Sequence, residues 1–144
     1  MPLDLDLLAT VLLGLYAGSL LTEGVVLVPY WRRMAHADFM RLHGDVGPHL
    51  FRYFAPLTTL AVGLSVAAAM REAVLYSWRT LAAVLCVAAL LTFFIYFKRA
   101  NAAFAAGNLT ESELAPELAR WSAWHWLRTV AVVAAFVAAI GASA

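Results

Sequence analysis

Residues 10–30 read TVLLGLYAGSLLTEGVVLVPY, and this stretch decides the fold. A helix that crosses a bilayer needs about 20 predominantly apolar residues, and the run supplies them. Its one acid is Glu23. A carboxylate at membrane depth costs about 2.5–3.5 kcal/mol on insertion scales, so it is expected to face the protein interior and to have a partner there. The same stretch carries Gly14 and Gly18, a GxxxG spacing that lets helix backbones approach closely. Packing inside one chain is the simpler use of that pair, and a homo-oligomer stays open.

Three further apolar runs follow. Helices are expected over about 7–28, 50–70, 78–99 and 111–142, within a single domain covering 1–144. The chain is 64% hydrophobic and 13% charged, with a mean hydropathy of +0.80, which places it in the lipid bilayer and not among soluble domains. The connections are short. The expected fold is therefore all-α, a transmembrane up-down-up-down four-helix bundle. Asp4 and Asp6, with no Lys or Arg, precede the first run, the wrong charge for a signal peptide. A net charge of +1 without a basic tract argues against nucleic acid. Cys86 stands alone mid-span and is read as a small core residue.

Basic residues gather at one end of such a bundle: Arg32, Arg33, Arg41, Arg52, Lys98, Arg99, Arg120 and Arg128, against Arg71 and Arg79 at the other. The positive-inside rule puts the basic end in the cytoplasm and both termini outside, as in a bacterial inner membrane protein. The segments between spans are expected to be irregular in two places. Gly44, Gly47 and Pro48 should break the helix that begins near Ala35, and residues 99–109, rich in Ala, Gly and Asn, read as a loop. Thr110 and Glu113 form a capping box that starts the last helix.

Up-down topology brings the end of helix 1, the start of helix 2, the end of helix 3 and the start of helix 4 to the basic end, where most of the unusual polar residues lie. Tyr16, Ser19 and Glu23 share one face of helix 1, His49, Arg52, Pro56 and Thr59 one face of helix 2, and Trp121, His125 and Arg128 one face of helix 4. Glu23, His49, Arg52, Tyr96, Asn101, His125 and Arg128 are thus expected around one pocket. His43 joins it only if the chain folds back at Gly47–Pro48. His36 reads as a surface histidine.

Glu23, His49 and His125, with His43 in reserve, form a mixed nitrogen and oxygen set that suits iron, copper or zinc. The same groups suit metal-free chemistry, with His125 or Glu23 taking a proton and Arg128 or Arg52 stabilising an oxyanion. The sequence leaves open whether iron, copper or no cofactor is used. The aromatic residues nearby (Phe51, Tyr53, Phe54, Tyr96, Trp121 and Trp124) favour a flat hydrophobic substrate.

Lys98-Arg99-Ala100-Asn101, followed by Trp121-x3-His125-x2-Arg128, resembles the anthrone-oxygenase-like family of small four-helix membrane proteins. The resemblance implies an O2-dependent oxidation of an electron-rich aromatic. It makes His125 the base or a ligand; of the residues gathered at the basic end, His125, Arg128 and Asn101 are the candidate catalytic residues, and Arg52, Tyr96 and Trp121 the candidate binding residues. The stretch from His36 to His49 has no counterpart in that pattern. Two other readings compete: a non-enzymatic membrane protein that binds or carries a small molecule or ion, and a purely structural pairing of Glu23 with Arg52 or Arg128.

Overall fold

A computed structural model describes residues 4–72 and 75–142. Four helices account for nearly all of them, and no strand occurs among the described residues: α1 (Leu5–Trp31), α2 (His36–Met70), α3 (Trp78–Ala106) and α4 (Glu111–Gly141). All four are long and apolar enough to cross a membrane, and the protein is an integral membrane four-helix bundle. Each helix packs on the next, and α4 closes the bundle against α1. Asp6 and Arg79, at the starts of α1 and α3, pair at 2.9 Å, so these two helices run in the same direction. The backbone of Gly141, at the end of α4, meets the ring of Trp78, so α4 runs against α3.

The middle of the bundle is held by small residues. Ala17, Ala61, Ala82, Cys86, Ala89, Ala135 and Ala138 are buried with Leu13, Tyr16, Leu20 and Val132. Lipid tails are as apolar as leucine, so association here depends on close backbone approach, which small side chains permit. Gly14 shows this directly: a Cβ there would lie 3.0 Å from the Phe136 ring of α4. Gly18 faces open space, so the GxxxG pair is split, with only Gly14 used inside the chain.

Two expected breaks are absent. Residues 36–70 form one helix despite Gly44, Gly47 and Pro48. Packing supplies the reason. Phe39 is buried against Trp31 and Phe104, and His43 stacks on Phe39 with ring centroids 5.6 Å apart. This aromatic contact holds the first turns of α2 on α3 and outweighs the local cost of the breakers; proline is also tolerated inside spanning helices, where neighbours re-satisfy the freed groups. Likewise 98–106 is helical, not a loop. Its alanines are strong helix formers, and the helix stops only at Gly107, whose φ of +67° is the left-handed geometry that glycine accepts at a helix end. The capping box forms as expected: Glu113 accepts from the Thr110 amide at 2.8 Å and its hydroxyl at 2.7 Å.

Candidate functional site

Two spans carry a π-helical turn at the same depth. One covers Glu23–Leu27 in α1 and the other Phe93–Phe97 in α3. Such insertions shift the phase of a helix and recur at functional sites. In α1 the wide turn runs directly into Pro29, whose ring would otherwise press on the carbonyl four residues back. Glu23 opens the first turn and Phe97 closes the second. Both side chains are directed at Arg128 of α4.

Arg128 is the hub. Its Nη2 donates to Glu23 Oε2 at 3.2 Å and to His125 Nδ1 at 3.0 Å. Its guanidinium lies 4.2 Å from the centroid of the Phe97 ring, a cation–π contact. Glu23 is 4% exposed and His125 fully buried. Removing one member of so buried a pair leaves the other charge uncompensated, so the cluster fixes how α1 and α4 dock.

The partners of His125 fix its tautomer. Its Nε2 lies 2.9 Å from the carbonyl oxygen of Leu20. A carbonyl only accepts, so Nε2 carries the proton. A guanidinium only donates, so Nδ1 offers its lone pair to Arg128. His125 is thus neutral in this arrangement, with both nitrogens engaged, and its Nδ1 sits 3.5 Å from Glu23 Oε2. Gly24 makes the approach possible: a Cβ there would fall 3.0 Å from His125 Nε2 and 3.2 Å from the Trp126 ring. The imidazole stacks flat on Trp121 at 5.1 Å. Trp121 in turn donates from Nε1 to Asn101 Oδ1 at 2.9 Å. Asn101 and Trp121 therefore act on the cluster through His125, as positioning residues.

The other expected members lie elsewhere. His49, Arg52, Pro56 and Thr59 do share a face of α2, but all four are exposed. The inward face is Leu50, Phe54, Leu57 and Ala61, because apolar bulk and not the polar stripe fills the bundle. Near the basic end Arg52 can extend to headgroups. Tyr96 points away from Glu23: it donates to Glu117 at 2.7 Å and stacks on Trp124. His43 belongs to the aromatic cap, since α2 never folds back. His36 reaches the Leu109 carbonyl at 2.7 Å, tying α2 to the connection before α4. Among the described residues no three His, Cys, Asp or Glu side chains gather as a metal-binding group. The ligand set of Glu23, His49 and His125 with His43 is therefore not assembled, for the same reason that His49 is outside.

Two clefts flank the cluster. One, of about 180 Å³, opens between α2 and α3; Phe51, Phe54, Phe93 and Phe94 line it, with Tyr16 and Arg128 at the back. The other, of about 280 Å³, opens between α1 and α2 and reaches Glu23 past Ser19, Thr22 and Tyr53. Phe54 belongs to both walls. Sequence reasoning missed Phe97 and Gly24, because the π turns that hold them leave no periodicity signal, and the Leu20 carbonyl, because a backbone group carries no side-chain signal at all.

No family model, curated protein or solved structure matches the chain.

Proposed function

We propose that this protein takes a flat hydrophobic weak acid of the phenol, quinol or anthrone type from the lipid phase and handles its acidic proton at Glu23 and Arg128. The observation that carries this reading is the cleft between α2 and α3, walled by four phenylalanines, with the Arg128 guanidinium at its back. Aromatic walls suit a planar ring, and a single buried cation suits its oxygen. Glu23, in contact with that cation, is the available proton acceptor. His125 holds Arg128 in place and is not free to act as a base while Leu20 and Arg128 occupy both its nitrogens.

The catalytic form of this proposal is an O2-dependent oxidation. For an anthrone, the CH2 opposite the carbonyl becomes a second carbonyl; dioxygen supplies that oxygen and its other atom leaves as water. Loss of the CH2 proton comes first, and stabilising the resulting anion is the task of Arg128. On this reading the basic end faces the cytoplasm of a bacterial inner membrane, and both termini lie outside. The test is oxygen uptake with an anthrone or quinol by protein in nanodiscs. Uptake should fall in Glu23→Gln and in Arg128→Gln. Activity that survives both Glu23→Gln and His125→Ala would rule out the enzyme.

A non-enzymatic binder or carrier is the second reading. The observation that favours it is the commitment of both His125 nitrogens, which leaves the site one acid, one cation and no free imidazole. Saturable binding without oxygen uptake would select it.

A further inference from the structure

The two clefts reach the same ion pair from opposite sides of α2, and their walls differ in polarity. The cleft toward Arg128 is mostly phenylalanine and aliphatic, with the hydroxyls of Tyr16, Thr58 and Thr59 in a wall of eleven residues. The cleft toward Glu23 carries three hydroxyls, from Ser19, Thr22 and Tyr53, in a wall of seven residues, with the carboxylate behind them. Ser19 and Tyr53 share a 2.7 Å hydrogen bond across it, from α1 to α2. Thr22 and Tyr53 are exposed and Ser19 is half-buried. Ser19 and Thr22 also donate to the Leu15 and Gly18 carbonyls of their own helix, so the group that calls for water is the Glu23 carboxylate, because ionisable groups at membrane depth face the bundle interior or a water-filled cavity. Leu27, on the wall of this cleft, lies one helical turn from Trp31 and the arginines of the basic end, so water has a short way in.

We propose that the cleft between α1 and α2 is a water-filled route that carries protons between the basic face and Glu23, kept apart by Phe54 from a lipid-facing route between α2 and α3 that leads to Arg128. This rests on the reading of Glu23 as proton acceptor and adds where its proton goes. The groups facing Glu23 are His125 and Arg128 from α4 and Tyr53 across the cleft from α2. α3 contributes Phe97, against the guanidinium. His125 has both nitrogens engaged and Arg128 is a fixed cation, so the aqueous cleft is the direct outlet.

The test is nitroxide accessibility in nanodiscs, without any substrate. Spin labels go on Thr22→Cys and Leu90→Cys in a Cys86→Ala background; Leu90 lines the other cleft. A water-soluble nickel chelate should broaden the label at 22, and O2 dissolved in the bilayer the label at 90. Phe54→Ala should let nickel reach position 90, whereas the bulkier Phe54→Leu should not. Dominance of O2 at both positions would overturn the aqueous route, and nickel at both in the parent protein would overturn the partition. A label at 22 shielded from both, as by a second copy covering the cleft, would also overturn the route. Because accessibility is read without ligand, any of these failures leaves the oxygen-uptake test of the proposed function standing by itself.

Discussion

Replacing Arg128 with methionine keeps the bulk of the side-chain stem but removes the cation. Glu23 then has no donor left among the described residues, where Nη2 of Arg128 is its one hydrogen-bond partner and His125 presents a lone pair. At 4% exposure the carboxylate has little solvent contact to offset the loss. Breaking a buried pair in this way costs about 3–5 kcal/mol. Glu23→Gln is milder, about 1–3 kcal/mol, because the amide oxygen still accepts from Nη2 and the cation keeps Phe97 and His125. The double variant replaces the pair by two neutral groups and should cost less than the sum. A coupling energy near the upper end of the roughly 0.5–3 kcal/mol range for contacting residues is expected. The assay is reversible unfolding in mixed micelles, followed by circular dichroism. Arg120→Met is the control: its pair with Glu117 is exposed and spans i to i+3, and such pairs contribute about 1 kcal/mol or less. A coupling below about 0.5 kcal/mol, or an Arg128→Met cost no larger than that of Arg120→Met, would mean that the buried pair does not hold α1 on α4.

Gly24→Ala should destabilise by about 1–3 kcal/mol, through pressure on His125 and Trp126; the same unfolding titration reads it. Imidazole 15N shifts should report His125 as the neutral Nε2–H tautomer, and Arg128→Met should change its Nδ1 resonance; an Nδ1–H form would contradict the bond to Leu20. At the opposite end, hydrogen bonds from Ser77 and Arg79 hold the Glu72 carboxyl below its usual range. A carboxyl lowered in the folded state adds stability that is complete above its unfolded value of 4.5 and is lost as pH falls through the lower folded value. Acid unfolding curves of Glu72→Gln should therefore converge with those of the parent at low pH and separate above that value.

How far the site could be read from sequence depended on helix phase. In α1 and α4 the stripes ending in Glu23 and Arg128 point inward as expected, because a lone acid and a nearby cation have strong reason to avoid lipid. In α2 the equally regular stripe of His49, Arg52, Pro56 and Thr59 points outward. Periodicity identifies a face but not its direction; Leu50, Phe54 and Leu57 decided that by filling the interior. The continuous α2 was hidden by Gly44, Gly47 and Pro48, whose local cost is met by contacts with Trp31 and Phe104, distant in sequence. The extension of α3 to Ala106 was masked by Gly107 and Asn108 beyond it, although its alanines favour helix. The π turns, which aim Glu23 and Phe97 at one guanidinium, have no local signature except Pro29 after the first.

On the proposed reading, Arg128 presents a recognition site for an acidic aromatic at the back of a lipid-facing cleft. Its most direct test is photo-crosslinking in nanodiscs with a lipophilic phenol bearing a diazirine, followed by peptide mapping. Adducts are expected within 51–59 and 89–94, displaced by unlabelled phenol but not by the hydrocarbon that lacks the hydroxyl. Adducts spread over the lipid-facing surface, or displaced equally well by the hydrocarbon, would contradict the account.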